Sequence, residues 1–313
     1  MFAQFLAGLS RRVASVEYFI PVCLVLTTTV LLGACSGSIS RETYAGMADQ
    51  LQDAGLLRTD RAPADAPYTA EEITRNFQRI AFSYEFQFRD GQVVNEPLEK
   101  PLNRWAGLIR YRIMGDGVTQ ADIEDVARLT QEVSALTGLR FDASDGAHDM
   151  LITIASTKGR ADIAEFFRSR QMFKYRERYE MWQASPTWVC GATMSGAKDG
   201  SDQLVYAHIF MGAELQGILR QSCLHEEIVQ ALGLTNDHPD ARPSIFNDDQ
   251  EFALLTDHDA TLLRVLYDPA LRPGMTKAEA MPIVSRNVSR HMSAMAHMAY
   301  RNRLAARPAT PKL

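Results

Sequence analysis

The sequence predicts a mixed α/β domain in which one long helix packs on a mixed sheet, and three observations support this prediction. Apolar and basic residues alternate over 105–114, as in a half-buried strand, and residues 150–155 are nearly all apolar, as in a strand buried on both faces. Other segments place apolar residues three and four positions apart, as on helices. The resulting order of strand, helix, strand, helix, hairpin and long helix is typical of layered α/β domains.

The composition is that of an ordinary globular protein. The chain has 313 residues, of which 46% are apolar and 23% charged, with a net charge of −5. This length accommodates one large domain or two smaller ones with a sizeable core. The sequence contains no basic block, so we do not expect nucleic acid as a partner.

The N-terminus has the features of a signal peptide. Arg11 and Arg12 precede an uncharged, largely apolar run over 18–40, which contains Leu32-Gly-Ala-Cys35. Small residues before a cysteine resemble the bacterial lipobox, so we predict cleavage after residue 34 and a lipid on Cys35. The alternative is an uncleaved transmembrane anchor, because the apolar run is only slightly shorter than a membrane span.

The resemblance to bacterial lipoproteins also implies a location. Ser36 follows the lipidated position, which in that class implies sorting to the outer membrane of a Gram-negative cell, facing the periplasm. The lipid would make the membrane a partner to which the chain is anchored without spanning it. Residues 58–67 are charged and rich in Pro and Ala, so we predict that 35–67 is a tether.

The cysteines agree with export. Cys23 would leave with the signal peptide and Cys35 would carry the lipid, so Cys190 and Cys223 remain as a pair. In an oxidising compartment this pair predicts a disulfide between a strand and the central helix. Such a bond would stabilise the fold by about 3–4 kcal/mol. Two free buried thiols are the alternative.

Capping residues and periodicity define the remaining elements. Thr69 and Glu72 form a capping box, Thr119 and Gly138 enclose a run with helical spacing, and Thr256 is a further N-cap. We expect helices at 41–57, 69–80, 119–138, 161–183, 214–232, after 256 and at 277–305, and strands at 82–88, 105–114, 150–155, 187–190 and 203–211. The predicted division is a signal peptide (1–34), a tether (35–67), the α/β domain (68–272), and a C-terminal helix and tail (273–313).

Two consecutive carboxylates mark the central helix. Glu226 and Glu227 lie in an otherwise apolar segment that turns at Gly233. Burial of carboxylates is costly unless they are paired, hydrogen-bonded or bound to a metal. His225 and Glu226 could begin a zinc-peptidase His-Glu-x-x-His motif, but Val229 occupies the second histidine position, so the motif fails in this register.

Shifted by one residue, the helix resembles the metzincin motif, in which three histidines bind zinc around a general-base glutamate. In that register Glu227 holds the general-base position and Gly233 the turn. The three ligand positions hold Glu226, Gln230 and Asn236. The resemblance therefore implies Glu227 as the candidate catalytic residue and the other three as candidate metal ligands.

The resemblance extends along residues 75–270. The segment 243–248 lies where metzincins carry a methionine turn, with Phe246 in place of the methionine. The Glu-Glu-x-x-Gln-x-Leu-Gly helix, the segment 243–248, and Leu-Tyr-Asp-Pro at 266–269 together resemble a bacterial family, domain of unknown function 2927. The resemblance implies a zincin-like fold and supplies no activity.

Three hypotheses for function follow. One carboxylate and two amides suit zinc poorly and would better suit a hard divalent metal, although His238 or His258 could supply a further ligand. We favour an envelope lipoprotein with a non-catalytic binding or structural scaffold, which could take a peptide or protein ligand. The alternatives are an atypical metal-dependent peptidase using Glu227 as general base, or a metal-free hydrolase.

Overall fold

The computed structural model describes residues 41–85, 87–89, 92–94, 98–169, 189–247 and 249–305. The predicted signal peptide, the predicted lipidation site Cys35 and the tail after residue 305 lie outside these residues. So do residues 170–188, which hold the second half of the helix predicted at 161–183. Within the described ranges, no helix is long and apolar enough to cross a membrane.

Seven helices and nine strands are described. The helices are α1 (Arg41–Asp53), α2 (Ala70–Ala81), α3 (Gln120–Thr137), α4 (Thr157–Ser169), α5 (Gly217–Gln230), α6 (Asp257–Leu266) and α7 (Lys277–Ala305). The strands are β1 (Ser83–Tyr84), β2 (Gln87–Arg89), β3 (Gln92–Val94), β4 (Leu98–Glu99), β5 (Leu108–Met114), β6 (Arg140–Ala143), β7 (Met150–Ala155), β8 (Cys190–Gly196) and β9 (Leu204–Gly212).

Five strands form one mixed sheet in the order β6-β5-β7-β9-β8. The pairs β5–β6, β5–β7 and β7–β9 are parallel, whereas β8 pairs with β9 in the antiparallel direction. Every residue of β7 is buried, as expected for a strand at the centre of a covered sheet. The predicted mixed α/β fold with a long helix on a mixed sheet is confirmed.

Local capping explains where several helices begin. Thr69 and Glu72 form a capping box before α2, and Thr119 and Asp122 form one before α3. Gly138 ends α3 in the left-handed conformation. Thr256 caps α6 in the same way as the first two, so these predicted helix boundaries are confirmed.

Other boundaries differ because tertiary contacts decide them. Helix α4 begins at Thr157 rather than 161, because the hydroxyl of Ser156 accepts a hydrogen bond from the Gly159 amide (3.1 Å). The same hydroxyl donates to the Asp116 carboxylate, which fixes its position. Strand β8 runs over Cys190–Gly196 and so extends well beyond the strand predicted at 187–190, of which 187–188 lie outside the described residues. Its small residues have weak strand propensity, and pairing with β9 overrides that propensity.

The described part of the predicted tether packs on the domain. Tyr44, Leu51 and Leu57 are each at most 5% exposed, and α1 contacts α5. Further along, Arg58 forms an isolated β-bridge with Phe252 and an ion pair with Glu251. Residues 41–58 therefore contribute to the folded core and add no free length to a tether. The C-terminal helix α7 also packs on the domain, against α2 and α6.

Candidate functional site

The central helix α5 is covalently joined to the sheet. Cys223, in the middle of the helix, forms a disulfide with Cys190 at the start of edge strand β8, and their Cα atoms are 6.0 Å apart. The predicted disulfide is confirmed. One turn earlier in the helix, Arg220 donates two hydrogen bonds to the buried carboxylate of Asp122 (2.6 and 2.7 Å). These two links fix the position and rotation of α5.

The C-terminal end of α5 is held by side chains from distant parts of the chain. Trp105 Nε1 donates a hydrogen bond to the Ala231 carbonyl (2.8 Å), and Tyr267 Oη donates one to the Leu232 carbonyl (2.8 Å). These bonds satisfy carbonyls that have no partner within the helix.

Gly233 is required at the turn for two reasons. Its φ of +119° is unfavourable for residues with a Cβ. In addition, an added Cβ would lie 2.2 Å from the Asn103 carbonyl oxygen. The chain therefore reverses at Gly233 in contact with the segment before β5.

The loop after this turn is bonded to the end of α2. Thr235 donates its amide to the Ile80 carbonyl and its hydroxyl to the Ser83 carbonyl. Asn236 Nδ2 donates to the Arg79 carbonyl (3.1 Å). The Asn236 amide thus joins two segments far apart in sequence, and this bond leaves its side-chain oxygen available as an acceptor.

Glu226 and Glu227 are buried beside this loop. Glu226 is 2% exposed and Glu227 is 1% exposed. One oxygen of each, Oε1 of Glu226 and Oε2 of Glu227, is buried and has no hydrogen-bond partner. Such atoms are uncommon in folded proteins, because an unpaired buried polar group costs about 1–3 kcal/mol.

The environment favours the neutral form of both carboxyls. Burial raises the pKa of Glu226 well above its ordinary value, and the nearby carboxylates of Asp237, Glu227 and Glu85 raise it further. Burial, followed by the carboxylate of Glu85, raises the pKa of Glu227 to about 8. Low dielectric and like charge both disfavour ionisation, and here they act together.

The predicted ligand positions lie around the end of α5. Gln230 Nε2 donates to Asp237 Oδ1 (3.2 Å), and Asn236 is bonded to α2 as described above. None of the three positions offers an imidazole or thiolate, so this site does not fit the zinc of metzincins. In the part of the chain that the structure describes, no three His, Cys, Asp or Glu side chains are grouped as metal ligands. The set Glu226, Gln230 and Asn236 stays a prediction.

The neighbouring histidines form hydrogen bonds with groups outside the predicted ligand set. His225 Nδ1 accepts a hydrogen bond from the Leu255 amide (3.4 Å), and burial lowers the pKa of His225. His258 is fully buried, with Nε2 3.0 Å from Asn76 Nδ2. His238 Nδ1 accepts from the Asp240 amide (3.1 Å). In this structure, therefore, His238 and His258 make local contacts and do not complete a ligand set with Glu226.

Asp259 supports the segment predicted to correspond to the methionine turn. Its carboxylate accepts hydrogen bonds from Ser244 Oγ (2.5 Å), from the Ile245 amide (3.2 Å) and from the Thr256 amide (2.9 Å). Phe246 is fully buried in this segment. From sequence, Asp259 had only the signal of an acidic residue in the first turn of a helix, so its role in holding the turn was missed.

Glu85 and Asp237 were also missed as members of the site. Glu85 lies about 140 positions before Glu226 and has no local motif, and its amide donates to the Thr235 carbonyl. Asp237 directly follows Asn236, a residue of the motif. Its position close to Glu226 would have followed from sequence if a hydrogen bond from Gln230 to Asp237 had been expected.

Comparison with known proteins identifies the family. Residues 70–286, more than half of the chain, match the family described as "Protein of unknown function (DUF2927)". No curated protein matches the chain. The chain belongs to the DUF2927 family.

Proposed function

We propose that this protein is a membrane-anchored lipoprotein of the bacterial cell envelope, whose DUF2927 domain is a non-catalytic binding or structural scaffold with a degenerate zincin-like site. The observation that carries the proposal is the burial of Glu227, whose side chain is 1% exposed. Burial raises the pKa of this carboxyl and so favours its protonated form. A protonated carboxyl cannot act as a general base.

The other site residues support a structural role. The Asn236 and Gln230 amides cross-link α5, the loop after it and the end of α2. Glu227 is 1% exposed, so a substrate would have to displace protein atoms to reach it. These features suit a site that has exchanged metal ligands for hydrogen bonds.

Export and anchoring are supported by separate features. The disulfide between Cys190 and Cys223 suits an oxidising compartment such as the periplasm. The sequence Leu32-Gly-Ala-Cys35 resembles a lipobox. Only residues 36–40 separate Cys35 from α1, a span of roughly 20 Å when extended. A lipid on Cys35 would therefore keep the domain close to the membrane, which we propose is the periplasmic face of the outer membrane.

A groove offers a place for a peptide or protein ligand. It has a volume of about 510 Å³ and lies between α3 and the strands β5 and β6. Tyr111 and Phe141 give it aromatic walls, and Thr130 and Gln131 supply polar groups. Mixed lining of this kind suits a short peptide segment.

The scaffold hypothesis is tested with Glu227→Gln, which preserves shape and removes the ionisable group. We expect the variant to fold and to complement a deletion strain as well as the parent chain does. The anchoring hypothesis is tested by labelling with radioactive palmitate. Label should enter the parent and be absent from Cys35→Ser, and label in neither chain would reject the anchor.

The alternative is an atypical metal-dependent peptidase with Glu227 as general base. The unpartnered Oε2 of Glu227 is the observation that favours it. This hypothesis requires proteolysis by the natively exported chain that disappears in Glu227→Gln. A deletion strain that Glu227→Gln complements fully would exclude it.

A further inference from the structure

Strand β6 forms one edge of the five-stranded sheet, and among the described residues no strand pairs with its outer side. The amide of Arg140 donates to the Gly107 carbonyl, just before β5. Every second residue of β6 therefore bonds to β5, because the backbone groups of successive residues in a strand point to opposite sides. The amides and carbonyls of Phe141 and Ala143 consequently point away from β5, toward the free edge.

The groove between α3 and the sheet lies beside this edge. Phe141 is half-buried and lines the groove, and Ala143 is exposed. Phe141 is in register with the buried Ile109 of β5, so both side chains lie on the face of the sheet that α3 contacts. A strand added to β6 would therefore place the side chain opposite Phe141 next to the groove. The free edge and the groove form one continuous surface.

The other face of β6 carries two opposite charges. Arg140 and Asp142 are two positions apart, so their side chains share a face, and both are exposed. Neither pairs with another charged side chain in the part of the chain that the structure describes. Charges on an edge strand commonly prevent pairing with another chain. Like charges would do so, whereas an arginine and an aspartate at this spacing can complement a second copy of themselves.

We propose that two copies of this chain pair through β6 in the antiparallel direction, with the two Phe141 residues opposite each other on the two-fold axis. In this register the Phe141 amides and carbonyls exchange two hydrogen bonds. Arg140 of each copy then lies directly opposite Asp142 of the other copy, which gives two cross-strand ion pairs. With Phe141 opposite Ala143 instead, the two Asp142 carboxylates would face each other, which is unfavourable. The charge pattern therefore favours the first register over the second.

The same register brings the two Phe141 rings together. Residues directly opposite in an antiparallel pair have Cβ atoms about 5 Å apart on the same face, so the half-buried rings would contact each other beside the two grooves. Aromatic cross-strand pairs are favourable, and here the pair is flanked by the two ion pairs. An unrelated peptide would have to supply both charges at the right spacing. A second copy of this chain already carries them.

The inference deepens the proposed function, on which it rests only in that it names the protein ligand of the groove. It depends neither on the lipid anchor nor on the state of Glu227. Palmitate labelling and complementation by Glu227→Gln test the proposed function, whereas the oligomeric state tests the pairing of β6. Failure of one is therefore distinguishable from failure of the other.

The first test is analytical ultracentrifugation of the full-length chain in detergent, from micromolar to millimolar concentration. We expect a monomer–dimer equilibrium. Arg140→Asp and Asp142→Arg each turn two attractive pairs into two repulsive ones, and each should weaken dimerisation at least tenfold. The double variant with both changes restores the two ion pairs and should dimerise nearly as the parent does. Asp145→Arg, the same charge change at an exposed residue just after β6, is the control and should leave dimerisation unchanged.

The second test locates the two-fold axis by cysteine cross-linking in membranes treated with a mild oxidant. Phe141→Cys should form a disulfide with its own copy, because opposite residues have Cα atoms about 5.5 Å apart, a distance that suits a disulfide. Ala143→Cys is the matched control on the same strand. Its two copies would lie about 14 Å apart along the strands, which is too far for a disulfide.

Three results would overturn the proposal. They are a parent chain that is monomeric at every concentration, a double variant that dimerises no better than the single variants, and an Ala143→Cys cross-link as strong as that of Phe141→Cys. The first requires no variant and so is unaffected by any folding defect. It would assign Arg140 and Asp142 to protection of the edge, or leave β6 free for a peptide of different sequence.

Discussion

The protonation of Glu227 makes stability depend on pH in a direction that can be tested. The folded chain raises the pKa of this carboxyl from 4.5 to about 8. Between these values the folded state binds a proton that the unfolded state has released. The free energy of unfolding contributed by this group therefore falls as pH rises from about 4.5 to about 8, and the contribution is fully present only below pH 4.5.

The size of the effect follows from the shift. Each pKa unit corresponds to about 1.4 kcal/mol, so the group should lower the free energy of unfolding by about 3 kcal/mol between pH 5 and pH 8. In Glu227→Gln this contribution disappears, because glutamine has no proton to release. A buried glutamine amide without hydrogen-bond partners also lowers the free energy of unfolding, but by an amount that does not change with pH. The difference in pH dependence is therefore the quantity to measure.

The assay is urea unfolding of the disulfide-intact chain at several values from pH 5 to pH 8, with EDTA present to remove divalent cations. Glu71→Gln, a change of the same kind at an exposed position of α2, is the control and should follow the parent. The parent should lose stability with rising pH relative to Glu227→Gln. Parallel curves for parent and Glu227→Gln would refute the reasoning, since they would mean that the carboxyl titrates alike in the folded and unfolded states.

Three further changes test the contacts that position the site. Gly233→Ala should lower the free energy of unfolding by at least about 2 kcal/mol, because the new Cβ meets a backbone oxygen at 2.2 Å and the φ there is strained. The control in the same urea assay is Gly46→Ala, where no atom lies within 4 Å of an added Cβ. Replacing Cys190 and Cys223 together by alanine should cost about 3–4 kcal/mol in the same assay, and a chain of unchanged stability would contradict the cross-link. Tyr267→Phe should cost about 1–3 kcal/mol, because it leaves a helix-end carbonyl unpaired; an unaltered melting temperature would show that water replaces the hydroxyl.

Much of the architecture could be predicted from sequence because its causes are local. Thr69, Thr119 and Thr256 begin helices through bonds to residues only three positions away, so each capping box is visible in a short segment. The apolar composition of β7 likewise reflects burial on both faces. In contrast, the strand predicted at 187–190 did not include most of β8, because the position of β8 depends on pairing with β9 and not on its own propensity.

At the candidate site, the order of the amino acids is enough to show which residues occupy the positions of the motif. It identified Glu226, Glu227, Gln230, Gly233 and Asn236 and their resemblance to a metal-binding motif that lacks its histidines. The reason is that spacing along a helix fixes which side chains share a face.

The surroundings of those residues depend on how distant segments pack in the folded chain. This packing buries both glutamates, brings Glu85 and Asp237 to them, and bonds Asn236 to the end of α2. These relations join segments up to 157 residues apart, and no local pattern encodes them. The charge state of Glu227 depends on the desolvation and neighbouring charges that this packing creates, so it is a property of the fold and cannot be read from the motif.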